Sequence, residues 1–327
     1  MTDLSPLPSD NLSSDVFEQL PPASWRRLDD LALIRARGAE ARGFLQAQLS
    51  NDVARISVTQ AQLSGYCGPK GRALAVFTVA QLESADSLGL ELPAELLAPT
   101  LKRLRMFVLR SKLVLDDASA EWPALGLAGS QAAELLTRLN LSVPTVALGT
   151  AMTEGALVLR RPGVWPRYVL RAAPERLALI VQALAALPEL PVQDWARAEL
   201  LAGMPQVRAA TVDHFVPQTI DLDLAGGISF SKGCYPGQEI VARVHYLGRL
   251  KQRLHLAECA EAAEPGQAVL LAGGDGQAVG EVMDCAPGVD GGYLIALTLR
   301  LDQADSTGLR LERPEGALLA GVRAAPH

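Results

Sequence analysis

The sequence lacks the closely spaced cysteines and histidines that usually hold metal ions in proteins. Its four cysteines (Cys67, Cys234, Cys259 and Cys285) form no CxxC pair, and its four histidines form no HxxxH or HExxH pair. The spacing therefore indicates no metal site, although ligands far apart in sequence can still converge in space.

Long apolar runs and excess positive charge are absent as well. The longest apolar run, residues 177–187, contains Gln182 and is too short to span a bilayer. Residues 1–24 carry four prolines and lack the apolar core of a signal peptide. The net charge of −6 argues against a protein that coats nucleic acid. We therefore expect a cytoplasmic, reduced protein with no membrane partner and no direct binding of nucleic acid.

What the chain does have is the composition of an ordinary globular protein. Its 327 residues are 49% hydrophobic and 20% charged, which predicts two or three domains with ample core. Residues 1–24 resemble a flexible arm that ends after Pro21 and Pro22.

Hydrophobic periodicity predicts a mixed α and β protein. Strands are expected at residues 31–36, 63–67, 73–82 and 87–92, with helices after Gly38 and after Pro93. Further on, residues 122–187 read strand, helix, strand, strand, helix, with Ser130 as the helix N-cap. This order is typical of the split βαβ arrangement of ferredoxin-like domains. From about residue 246, short strands and glycine-rich turns predict an all-β tail.

The most informative segment is Lys232–Arg243, in which a cysteine lies between two glycines just before a predicted helix. Gly233 and Gly237 allow a sharp turn, and Glu239 and Arg243 are spaced to pair on the helix. A nearby helix N-terminus and the charge of Lys232 would favour the thiolate of Cys234. The alternative is that Cys234 is a small packing residue, as most free cysteines are.

This segment and several others resemble one known family. His214–Gln218 and Gly226–Glu239 are similar to the YgfZ family of folate-binding proteins, and more distantly to the T-protein (aminomethyltransferase) of the glycine cleavage system. Residues 44–53, the Lys70-Gly71-Arg72 turn and residues 107–113, taken as a strand region, add weaker matches.

The resemblance implies an α+β fold: a three-domain ring with two ferredoxin-like domains and a C-terminal β-barrel. The implied first domain comprises residues 25–48 and 115–245, the second residues 49–114, and the barrel residues 246–327. Tetrahydrofolate, or a derivative of it, would be held at the centre.

The resemblance also implies roles for individual residues. Trp195 corresponds to a folate-contacting tryptophan, and its indole can stack on a pterin. Cys234 would be the reactive thiol, assisted by Lys232. The remaining candidate folate contacts are Leu31, Tyr235, Gln238, Glu239, Arg243, Asn51 and Asp52. Asn51, Asp52, Gln238 and Glu239 are equally suited to capping helices.

The sequence also departs from the pattern at three places. Leu74 and Ala75 stand where T-proteins carry the aspartate needed for aminomethyl transfer. Leu31 replaces a second folate-contacting tryptophan, for which Trp25 is a candidate substitute. Leu201 replaces a glutamate of the broader family, and nearby Glu199 is expected to point elsewhere on its helix.

Two basic stretches lie outside these motifs: Lys102, Arg103, Arg105, Arg110 and Lys112; and Arg243, Arg249, Lys251 and Arg253 with His245 and His255. Each is either a solvated face or a site for a folate polyglutamate tail, an RNA or an acidic protein. The second follows the cysteine segment and is therefore the stronger functional candidate.

We expect a folate-binding accessory protein that supports assembly or repair of iron–sulfur clusters in client enzymes, some of which modify tRNA. Its partners would be folate and iron–sulfur client or assembly proteins. Two alternatives are a folate-dependent one-carbon transferase, which the missing aspartate disfavours, and a scaffold that binds client proteins or RNA without folate.

Overall fold

The computed structural model describes residues 17, 20–248, 250–274, 276–289, 291–313 and 315–327. Its strands form three antiparallel sheets, and the protein is a mixed α+β structure as expected. Most of the predicted arm lies outside the described residues, but Ser24 already belongs to the first strand. In the described part of the chain, no helix is long and apolar enough to cross a membrane.

The first sheet has five strands in the order β1-β7-β10-β9-β8. Its strands are β1 (Ser24–Arg27), β7 (Ala124–Ala128), β8 (Thr150–Thr153), β9 (Ala156–Arg160) and β10 (Arg167–Arg171). One face of this sheet packs on two helices, α3 (Ala132–Arg138) and α4 (Pro174–Leu184). The other face packs on α5 (Val192–Leu201) through Trp195 and Ala198.

The second sheet has five strands in the order β3-β4-β5-β2-β6. Its strands are β2 (Leu31–Arg37), β3 (Gln62–Cys67), β4 (Ala73–Gln81), β5 (Ser87–Pro93) and β6 (Val114–Asp117). One face is covered by α1 (Ala41–Gln48) and α2 (Leu97–Arg105), whose leucines share one core with alternate residues of the strands. This alternation is what a sheet with one face on helices requires.

The face of the second sheet that α1 and α2 leave uncovered packs beside α5, on the same face of the first sheet. Leu33 and Ala80 of the second sheet share a cluster with Leu157 and Leu159 of the first. Strands β2, β4 and β9 thus have apolar neighbours on both of their faces.

The third sheet has six strands in the order β15-β12-β13-β14-β11-β16, and it confirms the expected all-β tail. Its strands are β11 (Gln252–Cys259), β12 (Ala268–Leu271), β13 (Ala278–Pro287), β14 (Tyr293–Arg300), β15 (Leu309–Leu311) and β16 (Leu319–Ala324). A bridge between Arg310 and Leu318 brings the two edges of the sheet together. The helix before it, α6, spans Gln238–Tyr246.

Several local predictions were wrong. Residues 107–113 form turns, and the strand that closes the second sheet begins only at Val114. Helix α3 begins at Ala132 with Gln131 as its N-cap, so Ser130 does not cap it. The domain bounds stay a prediction: in the structure β1 lies in the first sheet, β2 lies in the second sheet, and α1 packs on the second sheet.

A buried cluster of arginines and glutamates joins the first sheet to the second. Glu91 of β5 pairs with Arg171 of β10 at 2.9 Å and with Arg161, just after β9, at 3.1 Å. Arg161 also pairs with Glu199 of α5 at 3.2 Å, and Arg167 of β10 contacts the same carboxylate. All five side chains are buried, so each charge relies on its partners rather than on water.

We predict that Glu199→Ala lowers the free energy of unfolding by about 3–5 kcal/mol, because it leaves buried guanidinium charge without its partner. Urea unfolding followed by circular dichroism measures the change. Glu134→Ala is the matched control, because it removes an exposed pair with Arg138 and should cost less than about 1 kcal/mol. Equal losses in the two variants would contradict a central role for the cluster.

Candidate functional site

The loop that carries Cys234 is fastened to the turn at Ser50-Asn51. The Ser50 hydroxyl donates a hydrogen bond to the Gly227 carbonyl at 2.7 Å, and the Ser229 amide donates to the Ser50 carbonyl at 3.0 Å. The Asn51 side-chain amide donates to the carbonyls of Leu63 and Gly226, both at 2.8 Å. Asn51 is nearly fully buried and thus holds the loop on β3.

Lys232 is directed towards the C-terminal end of α1. Its ammonium donates hydrogen bonds to the carbonyls of Gln46 at 2.5 Å and Leu49 at 2.6 Å, where a helix end favours positive charge. Burial lowers the pKa of Lys232 to about 8, and the charge of Asp52 opposes this shift. Among the described contacts, no hydrogen bond joins Lys232 to Cys234. Assistance of the thiol by Lys232 therefore remains a prediction.

Cys234 itself is exposed, and the next residue anchors the loop. Tyr235 is buried, its ring lies 5.2 Å from the Lys232 ammonium, and burial raises the pKa of its hydroxyl. Helix α6 begins only at Gln238, with Gly237 as its N-cap. Cys234 therefore lies three residues before the N-cap of α6, outside the turn over which the field of a helix terminus acts.

Gly237 fixes where the loop ends against the β3–β4 turn. Its φ is 79°, and a Cβ there would lie 2.4 Å from the Gly68 carbonyl oxygen and 2.6 Å from the Gly71 Cα. Gly233 differs, since a Cβ on it would meet nothing within 4 Å. Of these two glycines, the backbone conformation and close contacts therefore require glycine at position 237 but not at position 233.

The other predicted ligands near the thiol have mainly local contacts. The Asp52 carboxylate accepts hydrogen bonds from the Ala54 amide at 3.2 Å and the Gln46 side chain at 2.9 Å, and so caps a short helical turn. Glu239 and Arg243 are exposed on α6, and in the described structure they do not form the expected ion pair. Gln238 is half-buried at the start of the same helix.

A second candidate site is a cavity of about 80 Å³ between the facing sheets, next to α5. Its walls include Leu28, Leu31, Val76, Glu91, Trp195 and Glu199. The structure thus brings Trp195 and Leu31 to one cavity. Trp195 is also a core residue: it is 5% exposed and its ring packs against Gly126, with the Arg167 guanidinium 5.3 Å from the ring centroid.

Glu199 lines this cavity, contrary to the sequence-based expectation that it points elsewhere. It follows Trp195 by four residues on α5, and residues at this spacing share one helix face. That spacing was a signal in the sequence that could have found it. Burial opposes its ionisation, but Arg161 and Arg167 lower the pKa of Glu199 below its usual value. One carboxylate oxygen contacts these arginines, and the other, Oε2, is buried without a hydrogen-bond partner.

Glu91 presents a similar group to the cavity. Its Oε2 accepts hydrogen bonds from Arg171 at 3.0 and 2.9 Å, and its Oε1 lies 3.1 Å from the Arg161 guanidinium in the ion pair described above. The cavity therefore has apolar walls, two buried carboxylates and one carboxylate oxygen, Glu199 Oε2, that can accept a hydrogen bond from a ligand. Trp25 cannot replace the missing tryptophan here, because it packs with Leu127 on the opposite face of the first sheet.

The thiol and the cavity lie at opposite ends of the β3–β4 hairpin. Leu63 and Thr78 line the cavity, whereas Gly68 and Gly71 at the turn contact Gly237. Leu63 and Cys67 are four strand residues apart, or about 13 Å. The residues predicted as one folate and thiol site thus divide into two groups.

The two basic stretches also have different environments. Arg253 pairs with Asp221 at 3.0 Å and Asp223 at 2.7 Å, and His255 is buried, while Arg249 lies outside the described residues. In contrast, Lys102, Arg110 and Lys112 are exposed. The sequence favoured the second stretch as a functional candidate, but Arg253 and His255 of that stretch are held within the fold. Within the described residues, no cluster of three histidine, cysteine or acidic side chains could hold a metal ion.

The arrangement of the three sheets has a counterpart among solved structures. The glycine cleavage system aminomethyltransferase T from Bartonella henselae superimposes with a TM-score of 0.68 over 93% of this chain and 85% of its own, at 14% sequence identity. At that identity the likeness shows the fold alone. The chain therefore has a T-protein-like fold.

Curated relatives then define the family. The tRNA-modifying protein YgfZ of Colwellia psychrerythraea is 33% identical over 236 residues, which are 72% of each chain. The protein of the same name from Sodalis glossinidius is 29% identical over 330 residues, covering 98% of this chain and 95% of its own. No protein-family model matches the chain. On these relatives, the chain belongs to the YgfZ family, as the motifs around Cys234 predicted.

We predict that Gly237→Ala destabilises the protein by about 2 kcal/mol or more, because alanine is strained at this φ and its Cβ would meet the Gly68 carbonyl. Thermal unfolding measures the loss. Gly233→Ala is the matched control and should change stability by less than about 0.5 kcal/mol, since its Cβ has open space. Similar losses in both variants would contradict this account of the loop.

Proposed function

We propose that this chain is a folate-binding accessory protein that supports assembly or repair of iron–sulfur clusters in client enzymes. Family membership supports the proposal, and the relatives' name, tRNA-modifying protein, suggests that some clients modify tRNA. The protein would act in the cytoplasm, and its effect on tRNA would pass through those clients.

The observation that carries the folate proposal is the unpartnered carboxylate oxygen Oε2 of Glu199 in the Trp195 cavity. The 2-amino group and ring N–H of a pterin are hydrogen-bond donors, and Glu199 Oε2 is a buried acceptor without one. Charge-assisted hydrogen bonds of this kind are strong in a dry site. The residues present therefore suit the pterin edge of a folate.

The size of the cavity sets how such a ligand enters. About 80 Å³ holds a ring edge, whereas whole-ligand pockets usually measure about 300–1,000 Å³. The rest of the folate would extend through the rim, where Arg208 pairs with Asp284 at 2.7 Å. Binding thus requires rim side chains to move. On this proposal Tyr235, Gln238, Glu239, Arg243, Asn51 and Asp52 serve the thiol loop rather than the pterin.

Cys234 is the second half of the proposal. It is the exposed cysteine on a loop that is anchored on both sides, by Asn51 before it and by Tyr235 and Gly237 after it. Such a loop holds a thiol out to a client while remaining ordered itself. Leu74 and Ala75 provide no carboxylate near the turn, so the accessory role is favoured over aminomethyl transfer.

We also propose that the two five-stranded sheets are ferredoxin-like domains of a three-domain ring. In the second sheet, β2, α1, β4, β5, α2 and β6 follow one another in the β-α-β-β-α-β pattern, with β3 added at the edge. In the first sheet, β7, α3, β9, β10 and α4 follow the same pattern, and β1 lies beside β7 in the place of the last strand.

Titration with tetrahydrofolate tests the cavity. We expect binding that changes tryptophan fluorescence, and Glu199→Gln should weaken it about tenfold or more, because an amide loses the charge-assisted bonds. Isothermal calorimetry gives the dissociation constants. Trp165→Phe is the matched control, since Trp165 is buried beside α5 but does not line the cavity. Circular dichroism verifies that each variant is folded. Absence of binding by the folded wild type at millimolar ligand would contradict the folate proposal.

Complementation of a family-deficient strain tests the thiol. Cys234→Ser should fail to restore client activity while keeping its melting temperature, because the side chain is exposed. Cys285→Ser, at a half-buried cysteine of the third sheet, is the control and should complement. A thiol reagent at pH 8 should label Cys234 before Cys67. Burial raises the pKa of Cys67 to about 12, so the Cys67 thiol stays protonated at pH 8. Full complementation by Cys234→Ser would overturn the thiol proposal.

A further inference from the structure

One surface of the second sheet combines exposed apolar side chains with positive charge. Residues 96–115 contain five lysines and arginines and no acidic residue, in a chain whose net charge is −6. We call the part of this stretch that follows α2, residues 106–114, the basic loop. Its exposed fractions are 57% for Met106, 41% for Phe107, 88% for Leu109 and 52% for Val114. A soluble protein rarely groups exposed apolar side chains in this way unless something binds them.

The backbone of the basic loop is fixed rather than loose. The Arg105 guanidinium donates to the Leu115 carbonyl at 2.8 and 3.0 Å, and the Lys112 amide donates to the Glu40 carboxylate at 3.1 Å. Leu109 has a φ of 45°, in the left-handed region that a branched side chain enters at a cost. The fold thus holds an exposed leucine outward in a strained conformation.

The basic loop lies at one end of α1, and the Cys234 loop lies at the other. Glu40, the N-cap of α1, contacts Lys112, while the carbonyls of Gln46 and Leu49 at its C-terminal end contact Lys232. The eight residues of α1 span about 12 Å. The basic loop and the Cys234 loop thus lie at the two ends of a helix about 12 Å long, a distance that one protein partner can span.

From this juxtaposition we propose that the basic loop is a docking surface for an acidic protein that presents its reactive site to Cys234. The inference rests on the proposed function, because the thiol gives the contact its purpose. Charge complementarity selects an acidic partner, since Lys102, Arg110 and Lys112 are exposed in the same stretch as the apolar groups. Met, Phe and Arg are typical of protein interfaces, and a rigid leucine suits a preformed pocket. Three of the four exposed apolar side chains, Met106, Leu109 and Val114, are aliphatic and offer no stacking surface for bases, and Phe107 is the less exposed fourth.

The test begins with a photocrosslinking amino acid at position 109, expressed in a family-deficient strain. Position 179 is the matched control, because Leu179 is 62% exposed on α4, which packs on the face of the first sheet opposite the second sheet. We expect an acidic protein to be crosslinked from position 109 and not from position 179. Crosslinks from position 109 that contain only RNA or lipid would overturn the proposal.

The captured protein is then purified, and its dissociation constant is measured against full-length variants. Leu109→Ser should weaken binding about tenfold or more, because it removes one buried leucine contact. The double change Arg110→Glu and Lys112→Glu should weaken it further, and added salt should reduce the difference. Leu179→Ser should bind like the wild type. Unchanged affinity in Leu109→Ser, or binding to phosphatidylglycerol vesicles that depends on Leu109, would overturn the proposal.

Cys234→Ser separates this inference from the function on which it rests. The variant should bind the captured protein like the wild type, because Cys234 lies outside the basic loop, and should fail in complementation. Intact docking with full complementation would support the docking surface and overturn only the thiol role.

Discussion

The buried cluster of Arg161, Arg167, Arg171, Glu91 and Glu199 is the interaction on which the rest of the structure depends. It lies between two sheets that also share an apolar cluster, and its ion pairs join β5 of the second sheet to β10 of the first and to α5. Apolar residues of similar volume would often be no less stable than such a cluster. Its retention is easier to understand if the charges also serve the cavity that they line.

The two candidate sites use opposite strategies. In the cavity, the carboxylates of Glu91 and Glu199 are buried beside arginines, and these arginines lower the pKa of Glu199. At the loop, the thiol is exposed, and the hydrogen-bonded groups lie underneath it. The β3–β4 hairpin connects the two, so a change at the cavity end can reach the turn that supports Gly237 through a single rigid element.

How far the sequence predicts this structure depends on how far each feature is encoded locally. Strands such as Leu31–Arg37 and Ala73–Gln81 were predictable because burial imposes a strong pattern on them. Strands β6 and β8 were not predicted, because each has only four residues and polar or charged residues interrupt its apolar pattern. The family could be inferred from the Lys232–Glu239 motif alone, because that motif is specific. The direction of Lys232 could not, because it depends on α1, nearly two hundred residues earlier.

The Ser50 contacts have a consequence for the order of folding. The hydrogen bond from Ser50 to Gly227 closes a loop of 177 residues, and contacts of such long range form late. During synthesis the second sheet can assemble from residues 31–117 well before the chain reaches residue 227. The thiol loop is therefore expected to acquire its geometry only on a second sheet that is already folded. In a newly made chain, the loop would then hold Cys234 in the geometry described above only after the second sheet has folded.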